Sequence, residues 1–426
     1  MPSVRSSAAA SLRNALYNTT TDDNLARVRT VCWILLVTLP AGVCAAAEPR
    51  PAQTLKWTSI ATEQELVGFV HTPADASSPA AAVVYLKNLS IPRLGTEADA
   101  SILADLLASG HLVLVLDYAN HPRARCPALN ADVLKLREDI AGKDRKLLAG
   151  YNIDVNRLFI LMEGFRLRRD VEFARDADRV LAMDIIYPAQ PAGRVPLLME
   201  ITCDNVNRMG AYSLLFCRDT LLEGAQAAGF AVAMVDHPVR APYKGLDDPM
   251  PQCIQRMESA VRTLRAMSDE LHLSGRIGAI GFSRGGPFAA ILACRGQVDA
   301  ALVHGNRYDY LDLLPDDPML PRFEKAWGAR DQNCLTWAMH GAVHYLPVDP
   351  NDPAVRRIAP MFLNTSNTES AEYRDGLAKL ARRLRQLGVE HVYREDADGR
   401  GHRVSTDPQT LAEIYAFFRR HLAGQS

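Results

Sequence analysis

The sequence predicts an α/β protein: a mostly parallel sheet with helices on both faces. Three observations predict it. Short β-branched runs of five to eight residues, bounded by Gly, Pro, Asn or Asp, alternate with amphipathic stretches along the chain. The order of these elements occurs twice. A glycine-flanked segment, Gly281-Phe282-Ser283-Arg284-Gly285-Gly286, falls where one such strand must turn into a helix. At 426 residues, 48% hydrophobic and 23% charged, the chain exceeds one typical domain and can bury a large core.

The first element lies outside this pattern. Residues 31–43 form an uncharged apolar run preceded by Arg27 and Arg29 and followed by Ala45-Ala46-Ala47, then Glu48-Pro49-Arg50-Pro51. That order is the signature of a signal peptide across 1–47, so export to the periplasm or beyond is expected, with cleavage after Ala47. The run falls short of the ~20 residues that a spanning helix needs, so no stable membrane insertion is expected after cleavage, and a retained N-terminal anchor is the alternative. The long n-region, with Asp22 and Asp23, departs from the usual pattern, and Val43 before Cys44 argues against a lipid anchor.

Cleavage leaves six cysteines, at 126, 203, 217, 253, 294 and 334, whose spacing permits disulfides but fixes no pairing. No C-x-x-C pair or His/Cys cluster has zinc spacing, so no metal is expected. The formal net charge is −1 and the basic residues are scattered, which argues against a nucleic-acid or anionic-membrane partner. The densest basic run, Arg382–Arg385, reads as a solvated helix face.

Next come the two sets of strands. Ala81–Leu86 pairs with Pro196–Ile201, His111–Tyr118 with Phe230–His237, Arg157–Phe165 with Arg276–Phe282, and Arg179–Tyr187 with Asp299–Gly305. This predicts a duplicated unit of about 120 residues, with a first copy over 53–190, a boundary at the Pro/Gly segment 189–193 and a second copy over 194–426. Self-similarity of any regular α/β chain is the plainer alternative. Only the second copy continues into two more strands, Pro360–Thr365 and His391–Glu395.

The turn at Ser283 has the G-x-S-x-G pattern, with a strand before it and a helix after it. Small residues let the backbone fold sharply there, which lifts the hydroxyl above the sheet. The amide of Arg284, at the start of the helix, is aimed where an oxyanion would form. A serine hydroxyl needs a base oriented by a carboxylate. His402, in Asp398-Gly399-Arg400-Gly401-His402 just beyond the last strand, is the expected base. His391 opens a strand, His304 ends one and reads as a satisfied core or rim histidine, and His340 and His344 belong to an insertion. The expected acid is Glu369, the first carboxylate after the strand Pro360–Thr365; a helix-capping glutamate is the competing reading. Asp309 and Asp375 are the fallbacks. The second oxyanion donor is expected from the amide of Asp204, in the loop after the first strand of this copy.

Ser283, Glu369 and His402 in this chain order, with G-F-S-R-G-G and D-G-R-G-H, resemble the α/β-hydrolase superfamily. Within it the chain looks most like the dienelactone-hydrolase, acetyl-xylan-esterase and prolyl-oligopeptidase-like branch, over about residues 194–426. The resemblance implies an α/β-hydrolase fold preceded by a degenerate unit of the same kind, hydrolysis of an ester or amide through an acyl-enzyme, and no cofactor. Glu369 in place of the usual Asp, and the lack of an H-G pair before Asp204, depart from the pattern. In the first copy the nucleophile position falls on Arg166 in one register and on Gly164 in the other, so that copy is expected to be non-catalytic.

The run Arg166–Asp170 reads as solvated surface, with substrate binding as the alternative. An insertion at about 309–359 holds Trp327, Trp337, His340, His344 and Tyr345 near Tyr308 and Tyr310, and is expected to form a cap. Its rings suit a sugar or aromatic group, or equally the cap's own small core. The expected activity is an exported serine esterase acting on an acylated carbohydrate or other small ester. A serine peptidase and a catalytically dead binding protein are the alternatives. Acyl and alcohol specificity and oligomeric state are not fixed by the sequence.

Overall fold

Aliphatic runs that alternate with helices become strands buried on both faces, because the crossover helices of a parallel sheet cover them. The computed structural model describes residues 51–60, 63–75, 77–87, 99–118, 126–142, 146–189, 191, 193–201, 225–226, 228–239, 250–403, 405 and 407–422. The expected signal peptide and Asp204 lie outside the described residues. Glu48–Ser426 forms one compact unit.

The first sheet contains β1 (Gln53–Thr58), β2 (Glu65–His71), β3 (Ala80–Lys87), β4 (His111–Asp117) and β5 (Ile153–Met162), with α1 (Asp99–Ala108) and α2 (Cys126–Ala141) in the connections. Its strand order is β1-β2-β4-β3-β5. The second sheet follows at once with β6 (Phe165–Arg175) and β7 (Val180–Pro188). It continues with β8 (Val195–Ile201), β9 (Ala231–Val235), α3 (Met250–Ala266), β10 (Leu273–Gly281), α4 (Gly285–Cys294) and β11 (Ala300–His304). After α5 (Leu320–Trp327) and α6 (Cys334–His340) come β12 (Met361–Ser366), α7 (Ala371–Gln386), β13 (His391–Asp396) and α8 (Pro408–Leu422). The order is β13-β12-β11-β10-β8-β9-β7-β6. Pairings from β13 through to β9 are parallel; β9–β7 and β7–β6 are antiparallel.

Two corrections to the sequence reading follow. The sheets change over at Glu163-Gly164, not near 189–193, because β6 and β7 pair into the second sheet. Arg179–Tyr187 is therefore not a counterpart of Asp299–Gly305: it belongs to β7, an antiparallel strand, whereas Ala300–His304 is parallel to both neighbours. A buried aliphatic run looks the same in either direction, so its sequence does not distinguish the two cases.

The other three strand matches coincide in topology. The first five strands of the second sheet, β6-β7-β9-β8-β10 in space, repeat the order and directions of β1-β2-β4-β3-β5. Leu86 faces Met162 and Leu116, as Ile201 faces Gly281 and Val235. On this register Asp117 corresponds to Asp236 and Met162 to Gly281, and the interval within each copy, Asp117 to Met162 and Asp236 to Gly281, is 45 residues. One hydrophobic cluster runs through both sheets, from Phe159 and Met162 to Leu198, Phe230, Phe362 and, on α8, Tyr415 and Phe418.

Candidate active site

The site is built at the ends of β10, β12 and β13, where a parallel sheet delivers its strand ends to one edge. At the end of β10 the chain turns through Phe282 and Ser283 into α4, all ten residues of which are buried. Ser283 has φ of 50°, in the left-handed region that costs a non-glycine residue about 1–3 kcal/mol. A side chain at Gly281 would fall 2.5 Å from the Gly285 carbonyl, so the turn closes only with glycine there. Gly286 N–H donates to the Ser283 carbonyl (2.9 Å), and so does Asn306 Nδ2 (2.5 Å). Arg284 immediately precedes α4, which puts its amide at the positive end of the helix dipole.

His402 lies on the loop between β13 and α8. Its Nε2 is 2.8 Å from Ser283 Oγ, and its Nδ1 is 2.6 Å from Glu369 Oε2. The imidazole packs against the rings of Phe282 and Tyr373, each with its centroid 4.9 Å away. Glu369, in the loop after β12, has its side chain 1% exposed. Its Oε1 accepts from the Ser370 amide (2.8 Å), so the helix-start contact and the histidine contact are made by different oxygens of one carboxylate. The extra methylene of glutamate finds room because Gly305 is opposite: a Cβ there would stand 3.0 Å from Oε2.

The structure thus brings Ser283, His402 and Glu369 into one hydrogen-bonded line and leaves the fallback acids elsewhere. Asp309 is bound to His344 (2.9 Å). Burial works to raise its carboxyl, but hydrogen bonds from His344 and from the amides of Leu311 and Asp312 leave it below the ordinary value. Asp375 pairs with Lys379 at 2.7 Å. His391 Nδ1 bonds the Val389 carbonyl, and His340 stacks on Trp327.

His304 is buried, with its ring 6.0 Å from that of His402 and the Arg403 backbone within hydrogen-bonding reach. Burial, reinforced by the neighbouring His402 and Arg400, holds it well below the ordinary histidine value and therefore neutral. His304, Glu369 and His402 have ligand-type atoms within 4.8 Å of one another. A cation there would compete with the Glu369–His402 hydrogen bond.

The cap region supplies α5 and α6 and no strand. Its rings pack on one another: Phe323 stacks on Trp327 (4.8 Å) and Trp337 stands edge-on to both. Trp337 is fully buried, so the cap has an aromatic core of its own. The Arg166–Asp170 run lies on edge strand β6. Arg166 pairs with Asp105, Arg169 with Asp170 and Arg168 with Glu270. Together with α1 and Tyr187 these residues line a cavity of about 470 Å³ that contains none of the three site residues. Cys253, Cys294 and Cys334 are free thiols.

In the first sheet the position corresponding to Ser283 is Gly164, two residues past Met162 as Ser283 is two past Gly281. It also has positive φ, 80°. Its amide donates to Tyr85 Oη (3.1 Å). Of the two registers read from the sequence, the strand pairing selects the one that starts at Arg157.

No protein-family model matches the chain, and no curated protein matches it. Among solved structures, an acylaminoacyl peptidase from Pyrococcus horikoshii is similar with a TM-score of 0.50 and 16% identity, over 62% of this chain and 43% of that one. A truncated carbohydrate esterase from gut microbiota has a TM-score of 0.47 and 18% identity, over 60% of this chain and 95% of that one. A thermophilic esterase from Thermogutta terrifontis has a TM-score of 0.45 and 16% identity, over 62% and 95%. The chain shares the α/β-hydrolase fold of the peptidase, whose full length extends well beyond the shared part.

Proposed function

We propose that this protein is an exported serine esterase that hydrolyses a carboxylic ester, an acylated carbohydrate or an aromatic ester, through an acyl-enzyme on Ser283. The observation that carries the reading is the unbroken line from Ser283 Oγ through His402 to the buried Glu369 carboxylate, at 2.8 and 2.6 Å. In the working tautomer Nδ1–H donates to Glu369, which leaves Nε2 free to accept the serine proton. Oγ attacks the ester carbonyl as Nε2 takes that proton, and the oxyanion is held by the Arg284 amide together with a second amide, that of Asp204. The imidazolium then protonates the departing alcohol. Water, deprotonated by the same nitrogen, releases the acid and restores the serine. The chain's own residues supply every proton transfer in this sequence.

Export is supported by the apolar run 31–43 and the Ala45–Ala47 triplet. We read the first sheet as a non-catalytic copy of the second. Its strand order, its directions and the positive φ at Gly164 support that reading, and glycine there provides no nucleophile.

The test is turnover of p-nitrophenyl esters and acetylated glycans by the wild type and by Ser283→Ala. The reading expects ester hydrolysis that disappears in the variant. Aminoacyl anilides cleaved as well as esters would move the assignment to a peptidase. A folded wild type that turns over neither class would leave a binding protein.

A further inference from the structure

His402 is carried by a loop rich in glycine. Gly399 and Gly401 flank Arg400, both at positive φ, 64° and 63°, and glycine restricts a chain least. Something else must hold the imidazole within hydrogen-bond reach of two partners at once. Arg400 is placed to do so. Its side chain is 9% exposed. Arginine has five N–H donors in a rigid plane, and here the three nitrogens reach five acceptors. Nη1 binds Asp396 Oδ2 (2.6 Å) and Asp398; Nη2 binds Asn364 Oδ1 (2.7 Å) and the Thr365 carbonyl (3.2 Å); Nε binds the Arg403 carbonyl (2.8 Å).

These acceptors fall in three places. Asp396 and Asp398 stand at the loop's entrance, Arg403 just beyond His402, and Asn364 and Thr365 on β12, the strand that leads to Glu369. Three weaker ties run the same way. Thr368 Oγ1 accepts from the Gly401 amide (3.0 Å), Asn367 Oδ1 from the Gly399 amide (3.3 Å), and Ser366 Oγ donates to Asp398 (3.1 Å).

We infer that Arg400 is a positioning residue: it clasps the His402 loop to the Glu369 loop and so fixes both contacts of the imidazole. The inference rests on the esterase reading for its kinetic consequence, but not for its geometry. Lysine keeps the charge and loses the plane. It can reach Asp396 and cannot bond Asn364, Thr365 and Arg403 together.

The experiment compares Arg400→Lys with the wild type in kcat and KM on p-nitrophenyl acetate, in titration with a fluorophosphonate and in amide hydrogen exchange over 397–403. The expected result is a kcat lower by about 10- to 100-fold with KM nearly unchanged, since misplacement of about 1 Å has that scale of effect. Labelling should reach one equivalent, only more slowly, and exchange over the loop should quicken. Should Arg400→Lys not fold, Asn364→Ala removes the side-chain acceptor of Nη2 and should give the same split on a smaller scale. Wild-type kcat, or a loss that merely follows the fraction of titratable protein, would overturn the inference. A wild type that takes up no fluorophosphonate defeats the esterase reading instead; loop exchange then decides the clasp, and unchanged exchange in Arg400→Lys would sink it.

Discussion

At the end of β5 the chain passes through Gly164 straight into β6, whereas at the end of β10 it passes through Ser283 into the buried helix α4. The two positions share strand order, register and a positive φ. They differ in what the backbone strain is used for. Gly164 takes the bend without steric cost, and its amide is capped by the Tyr85 hydroxyl. Ser283 takes the same bend at a cost and presents a hydroxyl to His402. The first sheet also stops at its fifth strand. It therefore lacks the three strands whose ends carry His304, Glu369 and the His402 loop in the second sheet. An elbow without those later strands has neither base nor acid to meet.

Exchanging the residues at the two bends breaks the comparison most sharply. Ser283→Gly should lower turnover by roughly 10⁶-fold while leaving the thermal midpoint unchanged or raised, since glycine relieves the strain. Retained turnover, measured on an activated ester, would place the nucleophile elsewhere. Next in size is Glu369→Gln, which leaves the serine–histidine pair intact and removes the carboxylate that orients it. A loss of roughly 10⁴-fold in kcat is expected, and wild-type rates would assign the acid to another residue.

Acid stability adds a test on the side of the site, where His237 and His304 are buried, as His111 is in the first sheet. Burial, with the Arg284 charge adding to it, pushes His237 down to about 3, and His304 is likewise held low. Both stay neutral when folded and protonate near the ordinary value of 6.5 when unfolded, so a falling pH loads protons onto the unfolded chain first. Their contribution is complete above 6.5 and is lost below it, by about 1.4 kcal/mol per histidine for each pH unit. Urea midpoints at pH 7.5 and 5.5 should record that drop, and equal midpoints would contradict it. The smallest effect belongs to Gly164→Ser. It should cost about 1 kcal/mol through strain and add no turnover to a Ser283→Gly background; a gain of esterase activity there would mean that the first sheet hides a competent base.

Much of this was legible in the residues. The elbow, the late glycine-rich loop and the first carboxylate after β12 each carried a local signal, because a strained turn, a loop histidine and a strand-end acid leave marks within a few positions. What was not legible depends on partners distant in the chain. That the arginine-rich run 166–170 lies on a strand, β6, was not legible, because an edge strand with a wet face carries no continuous apolar run. The direction of β7 is set by pairing and not by its apolar run. Gly305, which makes room for Glu369, and Arg400, which ties two loops together, have functions that exist only once β11, β12 and β13 lie side by side.

The most direct measurement is mass mapping of the intact protein after reaction with a fluorophosphonate. The account predicts one adduct, on the peptide containing Ser283, which is absent from the Ser283→Gly protein and suppressed when His402 is replaced by Ala. An adduct on any other serine, or none on a folded and ester-cleaving chain, would contradict it.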